Sequence, residues 1–188
     1  MKPILVLSSF FLAFCLNAQI VSLTPEYVEL IENNADLSDF NLYFDGKTTI
    51  SNLTNDSLFI RWQREHNCPL EWNHGVYDKN ITYPHFTDTN FDPSLGIDSP
   101  FLLDSFASTD VFGIYVLPRH QAGCCEITLH ISEIQNPDEI LASVTFDVRI
   151  NDPECSITDV TNVEEENSIQ IYPNPVVDWF QLIDNQLI

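Results

Sequence analysis

Three stretches of this chain alternate apolar and polar residues one for one, and that period of two restricts the fold more than any other feature. In SLFIRW, Leu58, Ile60 and Trp62 share one face, with Phe59 and Arg61 on the other. In EITLHIS, Ile127, Leu129 and Ile131 oppose Thr128, His130 and Ser132. In SVTFDVRI, Val144, Phe146, Val148 and Ile150 oppose Thr145, Asp147 and Arg149. Successive side chains of a strand point to opposite sides, so each stretch reads as a strand with one dry and one wet face. Such strands suit antiparallel sheets packed face to face.

Further strands are expected at 41–44, 47–53 and 111–117. Turn chemistry separates them: FDGK before the second, LPRHQAG before the double cysteine, and IQNPDE between the last two alternating stretches. The fold class is therefore all-β, and the spacing predicts an immunoglobulin-like antiparallel β-sandwich of seven strands. PEYVELIENNA is divided evenly between a helix opened by Pro25 and an edge strand. Residues 67–100 hold Gly75, Pro84, Pro93, Gly96 and Pro100 and follow no clear period, so they are expected to form a long irregular loop where a ligand would bind.

The first eighteen residues, MKPILVLSSFFLAFCLNA, carry Lys2 ahead of an apolar core and read as a secretory signal cleaved between Ala18 and Gln19. Losing Lys2 takes the formal charge from −21 to −22. A surface this acidic repels phosphate backbones, so nucleic acid is excluded as a partner, and no second apolar run suggests a stable membrane span. The four cysteines left in the mature chain, Cys68, Cys124, Cys125 and Cys155, predict two disulfides in an exported protein. Adjacent residues of a strand face opposite ways, so Cys124 and Cys125 each take a distant partner. Two connectivities stay open: 68–124 with 125–155, or 68–125 with 124–155.

Sites of chemistry are scarce. His120, Cys124 or Cys125, and His130 invite a blue-copper reading, but Met1, the sole methionine, leaves with the signal, and His130 faces away from the apolar side. Asp88, Asn90 and Asp92 open like a calcium loop, yet Pro93 and Ser99 stand where glycine and glutamate are needed. Ser105 and Ser108 have Asp104 and Asp110 nearby but no nucleophile elbow. Trp62, Trp72, Tyr77, Tyr83, Phe86 and Phe91 could line a glycan platform; the preferred reading is Trp62 in the core and the others pinning the loop. Asn52–Thr54, Asn55–Ser57 and Asn80–Thr82 match N-glycosylation sequons and are read as chance, and Ser57 is a weak O-glycosylation candidate. No catalytic residue, metal or cofactor is assigned.

After Ile150 the chain turns polar, with three glutamates at 164–166, and 153–167 reads as a disordered linker. The following IQIYPNPVVDWFQL resembles the start of the type A C-terminal sorting domain of the type IX secretion system, through the strand ending at Tyr172, the turn Pro173-Asn174-Pro175, and the alternating Phe180 and Leu182. The resemblance covers 168–188, which is short for that family, so a truncated, disordered sorting domain and a fragment of a longer protein are expected. It implies a Bacteroidota protein directed outward by the type IX machinery. SNLTNDSLFIRWQRE…CPLEWNHGVYDKNITY resembles immunoglobulin-like modules of exported Bacteroidota proteins. Those modules often pair two cysteines after a tryptophan, at positions that correspond here to Tyr77 and Thr82.

The resulting organisation is a signal at 1–18, a sandwich at 19–152, a linker at 153–167 and a sorting segment at 168–188. The function expected is a non-catalytic secreted or cell-surface module with a structural, adhesive or interaction role and an unassigned protein or glycan ligand. The alternative is a glycan- or metal-binding module using 67–100.

Overall fold

The computed structural model describes residues 19–152, Glu154 and Cys155, and the backbone of a short ladder further on. The signal at 1–18, the linker from 156 onward, and Asn174 and Pro175 of the sorting motif lie outside the described residues.

The strands follow one another as β1 (Val21–Thr24), β2 (Tyr27–Glu32), β3 (Phe44–Lys47), β4 (Thr49–Asn52), β5 (Leu58–His66), β6 (Asn73–Tyr77), β7 (Thr82–Tyr83), β8 (Phe91–Asp92), β9 (Ile97–Asp98), β10 (Phe101–Leu103), β11 (Ser108–Thr109), β12 (Gly113–Leu117), β13 (Gly123–Glu133) and β14 (Ala142–Ile150). One sheet runs β10-β5-β13-β14-β2. The other is built from two ladders, β1-β4-β11 and β3-β12-β6-β7. The Thr48 N–H donates to the Phe112 carbonyl at 3.0 Å across the gap between them. Between the Lys47–Gly113 and Ile50–Thr109 pairs, residues 48 and 49 oppose 110, 111 and 112, so β3–β4 and β11–β12 are two long strands kinked by a bulge.

The fold is the expected immunoglobulin-like β-sandwich. Leu58, Ile60 and Trp62 of β5, Ile127, Leu129 and Ile131 of β13, and Val144, Phe146, Val148 and Ile150 of β14 are all buried, and Val21, Ile50, Ile114 and Phe112 meet them from the opposing sheet. One pairing departs from the antiparallel expectation: β2 runs parallel to β14, from Tyr27 beside Thr145 to Glu32 beside Ile150. The segment PEYVELIENNA is thus an edge strand, and Pro25 precedes it in a cis peptide instead of opening a helix.

Other expectations need correction. FDGK is strand β3, not a turn, and residues 41–43 lie in the turn before it, where the Leu42 N–H donates to Asp39 O. The 67–100 region is not one irregular loop. It contains β6, a central strand between β12 and β7, then β8, a 3-10 turn at Pro93–Leu95 and β9. Period two hides in β6 because three successive positions, His74, Gly75 and Val76, are buried. A Cβ on Gly75 would sit 2.2 Å from the Tyr83 carbonyl and 2.5 Å from the Tyr115 ring, so only glycine lets the strands close there.

In the C-terminal segment, Tyr172–Pro173 pairs antiparallel with Phe180–Gln181. Two short stretches of a segment expected to be disordered are therefore paired.

Candidate functional site

Strand directions define two ends of the sandwich. Strands β2, β5, β12 and β14 finish at one end, and β3, β6 and β13 begin there, as the pairings of Val116 with both Phe44 and His74, and of Ile150 with both Gly123 and Glu32, require. The chain enters at the opposite end, since Val21 pairs with Asn52. Residues 33–43, 67–72, 118–122 and 151–155 gather at the first end.

Both disulfides close this end. Cys68 is bonded to Cys125 and Cys124 to Cys155, the second of the two connectivities left open by the sequence. Parity along β13 explains the division. Cys125 shares the inward face of Ile127 and Leu129 and ties the 67–72 loop to the interior. Cys124 takes the outward face and holds the segment that leaves β14.

Behind the Cys68–Cys125 bond the interior changes character. The inward row of β5 continues past Trp62 to Arg64 and His66, and His74 enters from β6 on the same side as Val76. The Arg64 side chain is fully buried and every visible donor is used. Its Nε and Nη2 donate to Asp88 Oδ1 at 3.0 and 2.6 Å, Nη2 also donates to His85 O, and Nη1 reaches His74 O at 3.3 Å and His74 Nδ1 at 3.2 Å. Guanidinium can only donate, so His74 Nδ1 accepts and the neutral ring carries its proton on Nε2. Burial, with Arg64 beside it, pushes His74 down to about 3. The exposed ring of His66 packs edge-to-face on His74 at 4.3 Å and is also lowered, mainly by desolvation. Ligand atoms of His66, Cys68 and His74 all lie within 4.8 Å of one another.

On the rim, Pro118 to Gln121 form a turn closed by the Gln121 N–H to Pro118 O at 3.0 Å. Both central residues are left-handed, Arg119 at φ 51° and His120 at φ 74°, a pairing that normally selects glycine or asparagine. Tertiary contacts hold them. Arg119 lies 4.1 Å over the Phe40 ring and donates to Phe40 O at 3.0 Å, and His120 Nδ1 donates to Leu37 O. The Trp72 indole donates to Gln121 O at 3.1 Å, joining this turn to the 67–72 loop, where Leu70 is 99 % exposed.

The residues singled out in the sequence disperse. His120 sits on the rim, while His130 faces outward on β13, with Nδ1 2.8 Å from Ser143 Oγ and Nε2 3.6 Å from Glu65, so no copper cluster assembles with the disulfide-bonded cysteines. Asp88 belongs to Arg64. Asn90, 0 % exposed, accepts from the Trp62 N–H at 2.9 Å and donates to Ile60 O at 3.1 Å. Asp92 caps the 3-10 turn through Ser94, which lowers its carboxyl. The calcium-like stretch is thus a cover for the free edge of β5. The Ser105 hydroxyl bonds to Thr54 O and that of Ser108 to Ser51 Oγ.

Trp62, Trp72 and Tyr83 are buried, Tyr77 and Phe91 are half-buried, and Phe86 is exposed, so the aromatics do not form one platform. Tyr77 and Thr82 face each other in register. Asn52 is buried with its Nδ2 donating to Asp56 O, Leu103 O and Asp104 O, so that sequon is inaccessible in the folded chain.

Sequence reasoning missed Arg64, His66 and His74. The signal was present: inward parity continued from Trp62 predicts that both β5 residues point inside.

No protein-family model and no curated protein matches the chain. Among solved structures it resembles the N-terminal domain of PorA, with a TM-score of 0.50 at 9 % identity over 66 % of this chain and 86 % of that one. It also matches a human CEP192 ASH/PapD-like domain at TM-score 0.38 and 8 % identity, covering 70 % of this chain and 85 % of that one. The Caenorhabditis elegans MSP family member WR4 matches at 0.37 and 6 % identity, covering 70 % and 98 %. At these identities the likeness is one of fold: the chain is an immunoglobulin-like β-sandwich.

Proposed function

We propose that this chain is a non-catalytic, exported interaction module, carried outward by the type IX secretion system and acting at the cell surface or beyond it. The observation that carries the reading is the pair of disulfides, Cys68–Cys125 and Cys124–Cys155, which form in oxidising compartments. The resemblance of the C-terminal segment to a sorting domain supports the route. Entry and exit of the described sandwich at opposite ends support a spacer or adhesive role, and the braced rim around Phe40, Arg119 and Leu70 is the surface such a module would present. No helix among the described residues is long and apolar enough to cross a membrane.

The test is expression of the full chain in a type IX-competent host and in one lacking that system. Oxidised protein outside the competent cells alone is expected. Reduced protein retained in the cytoplasm of both would overturn the reading. A melting screen against glycans separates a spacer from a carbohydrate binder, because a ligand specific for the folded state raises the midpoint.

A further inference from the structure

The end of the sandwich interior that holds Arg64 contains more than a disulfide. We propose that reduction of Cys68–Cys125 opens a four-donor site for a zinc-class divalent cation, made by the two thiolates and the imidazoles of His66 and His74. Three of these groups already have ligand atoms within 4.8 Å of one another, and the Cys125 sulfur is bonded to one of them. Two sulfurs and two nitrogens are the set that holds structural zinc in tetrahedral sites. The donors come from the end of β5, the loop after it, the start of β6 and the start of β13, so they converge from both sheets.

Electrostatics makes the site redox-gated. Arg64 lies 3.2 Å from His74, and a bare dication beside it would be repelled. Two thiolates cancel the two charges of the metal, and Asp88 already balances Arg64. The oxidised protein lacks that compensation, and its sulfurs are committed to each other. The Arg64 guanidinium can only donate, so the His74 ring it meets is neutral, the state in which a ring nitrogen can ligate. Ligation by His74 Nε2 moves its proton to Nδ1 and ends the 3.2 Å contact with Arg64. The bonds of Arg64 to His85 O and Asp88 stay in place.

The chemistry balances. A dithiol reductant passes two electrons and two protons to the Cys68–Cys125 bond and becomes a disulfide itself. The metal then displaces one proton from each thiol as the two metal–sulfur bonds form. The site depends only on the sandwich and not on the export route.

The test uses the full chain carrying Cys124→Ser and Cys155→Ser, so that Cys68 and Cys125 are its sandwich thiols, reduced with a phosphine and titrated with cobalt(II) alone. One equivalent is expected to bind with a thiolate-to-cobalt charge-transfer band and tetrahedral visible bands, and zinc should displace it. The oxidised form should bind none. His66→Ala and His74→Asn should each weaken binding by at least about ten-fold, the loss usual for outer-shell partners alone. Circular dichroism is followed throughout. Binding unaffected by either histidine, equal binding by the oxidised form, or a reduced chain that neither keeps nor regains its β-sheet signal with cobalt would overturn the proposal.

Discussion

The indole of Trp62 donates to Asp78 Oδ2 at 3.0 Å, in a part of the core where both residues are buried. Asn90 Nδ2 reaches the same oxygen at 3.4 Å, and the backbone N–H groups of Asn80 and Ile81 reach Oδ1 at 2.8 and 3.3 Å. Four donors therefore converge on one side chain. The Tyr83 ring meets Trp62 edge-on at 4.9 Å, and its hydroxyl is held above its ordinary pKa by burial and by Asp78. This network ties the β6–β7 turn to the middle of β5.

Only an acceptor on both oxygens satisfies that arrangement. Asp78→Ala should destabilise the fold by about 3 kcal/mol, because buried donors are left unmet. Asp78→Asn should still cost about 1 to 2 kcal/mol, since its amide turns a donor toward donors. Urea midpoints of the two variants check the order. An asparagine variant as stable as the parent would contradict the network.

Acid sensitivity should begin at His74. Its folded-state pKa of about 3 lies below the ordinary 6.5, so the unfolded chain takes up the proton first. Stability is then unaffected above pH 6.5 and falls as pH drops from there toward 3, by at most about 1.4 kcal/mol per pH unit for one such group. Arg64, His66 and His85 oppose the added charge and Asp88 favours it. Asp147, lowered by its bond to Arg149, adds to the loss in the same direction at lower pH, with stability present above its ordinary 3.8 and lost as pH falls below that value. Denaturation between pH 7 and 4 should flatten in His74→Asn, whose amide oxygen can still accept from Arg64.

Each disulfide should be separately measurable. Cys124 and Cys155 are 31 residues apart and Cys68 and Cys125 are 57 apart, so chain entropy assigns each about 4 kcal/mol. Replacing either pair by serine should lower the denaturant midpoint accordingly. Non-reducing peptide mapping should recover 68 with 125 and 124 with 155, and recovery of 68 with 124 would contradict the parity argument.

The rim turn offers a change in the opposite direction. His120 has φ 74°, where a side chain is strained and glycine is not. His120→Gly should leave stability level or raise it by up to about 1 kcal/mol, less whatever its bond to Leu37 O supplies. Arg119→Ala should lower it by about 1 kcal/mol through loss of the Phe40 ring and carbonyl contacts. Thermal midpoints of the two variants should therefore move apart.

How far the sequence could be read follows from what each strand buries. Strands with apolar residues on alternate positions, such as Leu58 to Trp62 and Val144 to Ile150, announce themselves. β6 does not, because a histidine and a glycine fill buried positions that hydropathy counts as polar or neutral. The same limit hid the site: Arg64 and His66 keep the parity of β5 but break its apolar pattern, and the burial of Arg64 depends on Asp88 and His74 from elsewhere in the chain. Asp88, Asn90 and Asp92 are the converse case. Their spacing resembled a cation loop, while their task is to satisfy Arg64, the open edge of Trp62 and a one-turn helix. The opposite facing of Cys124 and Cys125 was legible from geometry. Their partners were not, because loop paths set those.

The bond between Cys124 and Cys155 also has a mechanical meaning. A pull on the C-terminal side of Cys155 does not reach Ile150 first and peel β14 from its neighbours one pair at a time. The load passes through sulfur into the first residues of β13, a central strand flanked by β5 and β14, and must shear whole ladders to advance. A tether fastened downstream would therefore strain the middle of the sheet instead of fraying its margin.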